Sequence, residues 1–358
     1  MSLKNCLLIF RNKKLNNFDQ GTSTISAFSA NGIYFDRVEY CAYDDPEEIS
    51  RSIKECKGNY ANIVFLCPQV MCDTLKNFCE KLFEEQFDNL NILSVADANI
   101  YVLSYDGDTK LKESDAIQIL AKNCGISCRR SYVKTVGASL AQIYEAVAKA
   151  KGAFPECDFN VSDSFSDCLI EIIYPDSLSK SACDEMLRIV ISGLKDNVYA
   201  LENISLAQRL YQLLQLRRMK ISVAESFTGG GVSKRLVEVP GISEVYFEGL
   251  NTYSNQSKLK RLGVEEVILK NYGAVSEQTA YQMAEGLLNT GDCDISIATT
   301  GIAGPKSDST SKPVGLLYIA IGTRESIRVY KYTLDGDRQQ ITETAINCAL
   351  FHAFKMLK

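Results

Sequence analysis

The sequence predicts an α/β protein of more than one domain, and three observations predict it. The chain is 358 residues long, whereas single domains run to roughly 100–200 residues, so two or three compact units are expected. Short apolar runs alternate with amphipathic stretches, the rhythm of a mostly parallel sheet covered by helices on both faces. Cysteine usage also changes along the chain: of 13 cysteines, eleven lie before residue 200 and only Cys293 and Cys348 after it.

Composition excludes several function classes. Hydrophobic residues make up 46% and charged residues 23%, the balance of a soluble globular chain. Formal net charge is -5, with 39 basic against 44 acidic residues, which gives no positive field to draw in nucleic acid or an anionic membrane surface. No apolar stretch approaches the roughly 20 residues that span a bilayer. The opening "MSLKNCLLIFRNKK" places its basic residues after a short apolar run, the reverse of a signal peptide. A cytoplasmic location is expected, and there cysteines read as reduced thiols. No CxxC pair occurs, so Cys67, Cys72 and Cys79, or Cys124 and Cys128, read as buried inert thiols, and neither metal nor cofactor is expected.

The elements follow in order. "NCLLIF", "DRVEYCAY" and "NIVFLC" read as strands, with helices over "STISAFSANG" and "DPEEISRSIKECKG" between them. In such sheets ligands bind beyond the carboxyl ends of the strands, where glycines let backbone N–H groups approach phosphate. Here "NIVFLC" runs into "PQVMCD", and no glycine occurs from Ala61 to Tyr105. Residues 1–122 therefore read as this fold without its usual site. Residues 123–200 read as a small α+β segment: helices over "GASLAQIYEAVAKAKG" and "SKSACDEMLRIVISGLKDNV", and a strand "DCLIEIIYP" ended by Pro175. It lacks the GxxG loop of an RNA-binding KH module and reads as a spacer.

Residues 201–358 hold the chemistry. "ISLAQRLYQLLQLRRMK" sets Leu206, Leu210, Leu213 and Leu214 on one helical face. "KISVAES" then reads as a strand running through Ser226 into Thr228 and the glycines 229–231, with a helix over "VSKRLVEVPG". Strand, serine, glycine turn, helix is an order that exposes a nucleophile beside helix N-terminal N–H groups able to hold an oxyanion. Downstream, "YFEGLNTYSNQSKLKRLG" reads as a strand, a cap at Ser254 or Asn255, and a helix carrying Lys258 in its first turn. The helix dipole disfavours an ammonium there, and burial pushes the same way, so a neutral lysine able to take a serine proton is expected. The single histidine, His352, lies deep in the C-terminal helix "RQQITETAINCALFHAFKML" and reads as a packing residue. That makes lysine the stronger candidate for activating the serine than a Ser–His–Asp triad, and a histidine-rich metal site is excluded. In "DISIATTGIAGPKSDSTSKPVGLLYIAIG", a loop of glycines and hydroxyls links two buried strands, and Thr299 and Thr300 are candidates to hold a phosphate, a ribose or the oxyanion.

Taken together, "AESFTGG", "YSNQSK", "GAVSE", "TGIAGP", "KPVG" and "GDR", in that order, closely resemble the C-terminal domain of the CinA family, the competence/damage-inducible proteins, over about residues 201–358. The resemblance implies a three-layer αβα domain. It also implies hydrolysis of the amide of nicotinamide mononucleotide to nicotinic acid mononucleotide and ammonia, by a Ser/Lys amidohydrolase mechanism in pyridine nucleotide salvage. Carried over by motif, Ser226 is the nucleophile, Lys258 the general base and Tyr253 a supporting group. Thr228, Gly229, Gly230, Asn255, Thr299, Thr300, Gly301, Ala303, Gly304 and Arg338 would bind substrate. The first segment resembles, more distantly, the family's three-layer molybdopterin-binding-like domain, and the second its KH-like linker. A homodimer is implied, with a small-molecule nucleotide as substrate.

The chain departs from the family's pattern at several points. Phe227 stands where many relatives carry cysteine, which rules out a cysteine nucleophile there. "KSDSTS" replaces paired glycines after "TGIAGP", and Thr342 replaces an arginine, both changes that bear on phosphate contacts. In the first segment "FRNKKL" and "LCPQVMCD" stand in place of the family's site motifs, so no ADP-ribose pyrophosphatase activity is expected from it. The alternative to an active deamidase is a nucleotide-binding or scaffold protein linked to competence or DNA damage.

Overall fold

A computed structural model describes residues 4–11, 21–95, 98–107, 112–125, 128–307 and 311–358. Most of "FRNKKL" and the middle of "KSDSTS" lie outside them. The chain is a mixed α/β protein, with three sheets among the described residues. By contacts it divides into two compact units, residues 1–129 with 173–178, and residues 130–172 with 179–358. Three segments were expected; most of the presumed linker gathers with the C-terminal segment. One physical reason is visible: the buried Asn347 near the C-terminus donates to the carbonyls of Ser164 (3.1 Å) and Phe165 (2.9 Å).

The first unit runs β1 (Asn5–Arg11), α1 (Thr22–Ser29), β2 (Arg37–Ala42), α2 (Pro46–Lys57), β3 (Asn62–Cys67), α3 (Gln69–Phe83), β4 (Ile92–Val95), β5 (Ala98–Ser104) and α4 (Glu113–Asn123). Its sheet has the order β2-β1-β3-β5-β4, parallel except for β4 against β5. β3 is buried along its whole length, as a strand covered on both faces must be. Cys6, Leu8, Phe10, Ile63 and Phe65 pack on α2 and α3. The alternating residues Leu7, Ile9, Val64 and Leu66 pack with Phe28 of α1 and Leu120 of α4. At the carboxyl end of β3 the chain turns through Pro68 into α3, and the Asp106 carboxylate accepts from the N–H of Gln69 at 2.6 Å. One N–H of the helix N-terminus, where an anion would bind in this fold, is taken by the protein's own carboxylate.

The second unit begins with β6 (Cys128–Val136), α5 (Leu140–Ala153), β7 (Asp158–Ser164), β8 (Asp167–Pro175), α6 (Lys180–Leu194) and β9 (Val198–Ala200), the strands ordered β7-β8-β6-β9. Then follow α7 (Leu206–Arg217), β10 (Ile221–Glu225), α8 (Gly231–Val237), β11 (Tyr246–Asn251), α9 (Asn255–Leu262), α10 (Glu266–Tyr272), α11 (Glu277–Leu288), β12 (Ile295–Gly301), β13 (Leu316–Thr323), β14 (Ile327–Thr333) and α12 (Arg338–Leu357). The larger sheet is ordered β11-β10-β12-β13-β14, with β10 parallel to both neighbours and β13 antiparallel to β12 and β14. One face packs Val223, Ile297 and Ile319 on α7, α8 and α12; the other packs Ala224, Ala298 and Ala320 on α9, α10 and α11. The alternation of large and small residues brings α11 close to the sheet, and the result is three layers. Among the described residues no helix is long and apolar enough to cross a membrane.

Candidate active site

Ser226 directly follows β10, the strand hydrogen-bonded on both sides at the centre of the parallel part of the sheet. Register places Glu225 beside Asn251 of β11 and Thr299 of β12. Both neighbours pin the strand end: the Ser226 N–H donates to the Thr299 carbonyl at 3.0 Å, and the Thr252 N–H donates to the Glu225 carbonyl at 2.7 Å. The chain then turns through Gly229 (φ +62°) and Gly230 (φ +97°), left-handed backbone that side chains disfavour. Gly231 opens α8, and a Cβ there would run into Ile346 of α12.

Glu225 holds this turn from beneath. Its side chain is buried; Oε2 accepts from the N–H of Gly230 and of Val232, each at 3.0 Å, and Oε1 accepts from the N–H and hydroxyl of Ser233 at 2.8 and 2.7 Å. The N-terminal N–H groups of α8, expected to face a substrate, are thus engaged by Glu225. The N–H groups of Phe227 and Thr228 make no hydrogen bond among the described residues. The sequence carried a sign of this role, a carboxylate at the end of a mostly apolar strand, since a buried carboxylate needs donors.

Lys258 comes from the first turn of α9, capped by the Ser254 hydroxyl accepting from the Ser257 N–H at 3.1 Å. The lysine is fully buried. Its Nζ lies 2.9 Å from Ser226 Oγ, 2.7 Å from the Thr252 carbonyl oxygen and 3.2 Å from that of Tyr253. No carboxylate pairs with it among the described residues, and burial pushes its pKa down from the ordinary 10.5 to about 8. Of the two causes expected from sequence, the helix terminus and burial, burial is the one the structure displays. A neutral amine has two N–H bonds and one lone pair. The two carbonyls can take both N–H bonds, which turns the lone pair toward the serine hydroxyl.

The pair opens into a cavity of about 240 Å³ lined also by Phe227, Tyr253, Ala274, Val275, residues 300–304, Lys306, Ser307 and Arg338. Of the residues expected from sequence, Ser226, Lys258, Tyr253, Thr300, Gly301, Ala303, Gly304 and Arg338 converge here. Tyr253 contributes its carbonyl to the lysine while its side chain is largely exposed. Arg338 Nη1 donates to the Gly304 carbonyl at 2.8 Å, tying the loop to the start of α12. Lys312 ties the far side, its Nζ donating to the carbonyls of Tyr272 and Val275 at 2.7 and 2.6 Å.

Thr228, Gly229, Gly230, Asn255 and Thr299 do not line the cavity. The hydroxyls of Thr299 and Thr228 bond each other at 2.7 Å, and Thr300 donates to the Ala274 carbonyl at 2.7 Å. These hydroxyls brace the turns from within, and Thr300 does so while also lining the cavity. Gly229 and Gly230 shape the turn without lining the cavity, and Asn255 lies exposed at the start of α9. His352 stacks on Tyr330, ring centroids 3.5 Å apart, with Nε2 2.5 Å from the Tyr332 hydroxyl, and burial with Lys355 nearby pushes its pKa down to about 4. It packs the sheet and does not line the cavity.

Comparison with known proteins adds three findings. Residues 203–357 match the family model described as the CinA C-terminal domain. A putative competence-damage inducible protein of Caldicellulosiruptor saccharolyticus is 42% identical over 175 residues, 49% of this chain and 43% of the relative. One of Clostridium beijerinckii is 47% identical over 148 residues, 41% of this chain and 36% of the relative. The matched stretch therefore spans less than half the length of these relatives. A solved structure, the competence/damage inducible protein CihA of Agrobacterium tumefaciens, is 37% identical and covers 42% of this chain and 93% of its own, with a TM-score of 0.41.

Proposed function

Since residues 203–357 belong to the CinA family through its C-terminal domain, we propose that the Ser226–Lys258 pair hydrolyses a carboxamide, and that its substrate is nicotinamide mononucleotide. The observation that carries the reading is the lysine amine 2.9 Å from the serine hydroxyl, buried, without a counter-ion and held by two carbonyls. In the first step Ser226 Oγ attacks the amide carbon as its proton passes to Lys258 Nζ. The oxyanion is taken by the free N–H groups of Phe227 and Thr228, which the Glu225 carboxylate keeps in place by holding the turn below them. The C–N bond then breaks with proton delivery from the Lys258 ammonium, and ammonia leaves. Water attacks the acyl-enzyme with the neutral lysine again as base, releasing the acid and restoring the serine.

The same reading assigns a homodimer as the working assembly, which sedimentation of the purified chain checks. It assigns no pyrophosphatase activity to the first unit, where Asp106 takes one N–H of the α3 N-terminus. The deciding experiment is ammonia release from nicotinamide mononucleotide by wild type, Ser226→Ala and Lys258→Met, with circular dichroism on all three. Release by wild type alone supports the amidase. Silence from a folded wild type removes it and leaves the cavity as a binding site.

A further inference from the structure

Two side chains in the Ser226 cavity take no part in the chemical steps. Arg338 spends Nη1 on the Gly304 carbonyl, which leaves most of its guanidinium fork unspent. Lys306, two residues beyond Gly304, is exposed, lines the same cavity and makes no hydrogen bond or ion pair among the described residues. Among the described residues, no aspartate or glutamate lines the cavity. Two cations with no acid between them among the described residues, beside a lysine that burial holds toward its neutral form, make the mouth attract an anionic group. The fork of an arginine and the point charge of a lysine together suit a phosphate dianion, the first through paired N–H groups and the second from any direction. Because Arg338 anchors the Gly304 carbonyl, the loop carrying Lys306 is tethered beside the guanidinium.

We propose that Lys306, acting with Arg338, binds a phosphate monoester at the end of the substrate remote from the scissile amide, and that Lys306 sets the preference for phosphorylated over unphosphorylated amides. This rests on the amidase reading of Ser226 and Lys258. It makes Lys306 a specificity-determining residue contributed by the stretch "KSDSTS".

The test compares nicotinamide mononucleotide with nicotinamide riboside, which lacks the phosphate, on the full chain and on Lys306→Ala, Lys306→Glu and Lys306→Arg. The ratio of kcat/KM for the phosphorylated over the unphosphorylated amide is expected to fall about tenfold in Lys306→Ala, the scale of one charged hydrogen bond. The fall should appear in KM, be larger in Lys306→Glu, and be mostly reversed in Lys306→Arg. Inorganic phosphate should compete with the mononucleotide in wild type more effectively than in Lys306→Ala. A ratio unaltered by all three substitutions overturns the proposal. If wild type hydrolyses neither substrate, the amidase reading fails by itself, and equilibrium dialysis with the mononucleotide decides the role of Lys306: equal affinity in wild type and Lys306→Ala overturns it.

Discussion

Two strand-to-helix turns, one in each unit, begin from the same geometry and end differently. β3 runs into α3 through "LCPQ", and β10 runs into α8 through "ESFTGGG"; each leaves the carboxyl end of a central parallel strand. In both, a carboxylate takes N–H groups at the helix N-terminus, but the carboxylates come from different places. Asp106 reaches over from the segment after β5 and caps Gln69 at the exposed end of the turn. Glu225 belongs to the strand itself and holds Gly230, Val232 and Ser233 from below. The first arrangement occupies the place where a ligand would bind. The second secures the turn while leaving Ser226 and Phe227 to line a cavity and the N–H groups of Phe227 and Thr228 without a partner among the described residues. A shared topology thus offers a site in both units, and the origin of one carboxylate separates a turn capped at its exposed end from one supported from below.

The sharpest way to break this comparison is to remove the nucleophile. Ser226→Ala is expected to lower ammonia release by about 1,000-fold or more while the circular dichroism spectrum is retained; a folded variant that keeps its rate would move the chemistry away from the β10 turn. Next in size is the pH dependence of wild type. In the proposed mechanism the neutral form of Lys258 is the base, and burial lowers its pKa to about 8, so kcat/KM should fall about tenfold for each pH unit below that value and level off above it. The same depression has a stability consequence of definite sign. Between about 8 and 10.5 the unfolded chain holds a proton that the folded one lacks, so this group makes stability rise with pH through that window, and Lys258→Met should flatten the slope in denaturant titrations.

Smaller effects separate the two carboxylates. Glu225→Ala strands three backbone N–H groups and a hydroxyl. At about 1–3 kcal/mol for each buried group left unpaired, unfolding by urea should show a loss of about 3 kcal/mol or more, together with a fall in kcat. Asp106→Ala removes one exposed cap and should cost about 1 kcal/mol with ammonia release unaffected. Equal costs for the two substitutions would erase the distinction between a capped helix and a supported turn.

Much of this was legible in the sequence because it is local. "NIVFLC" and "DCLIEIIYP" coincide with β3 and β8, since apolar and β-branched runs bounded by turn residues report directly on burial in a sheet. Ser226 stood out because a strand ending in serine and glycines was followed by a lysine in the first turn of a later helix. Other features were hidden in long-range pairings. The hydroxyls of Thr299 and Thr300 look available in a one-dimensional reading, yet partners 71 and 26 residues away consume them. Helix α8 ends at Val237, short of the Pro240 and Gly241 at which a stop was expected, since the last positions of a helix depend on what the chain packs against.

By itself, then, the sequence determined the α/β class, the order of the elements, the serine before its glycines and the lysine on a following helix. These depend on periodicity and turn chemistry within a few residues. Only the tertiary structure decided that the two meet. Ser226 and Lys258 are 32 positions apart, and their contact follows from the parallel register that sets Glu225 against Asn251. That register delivers the carbonyls of Thr252 and Tyr253 to the end of β10, where they can orient the amine. It is chosen by the burial of whole strands against α7, α8 and α12 on one face and α9, α10 and α11 on the other. No local stretch of sequence contains that sum.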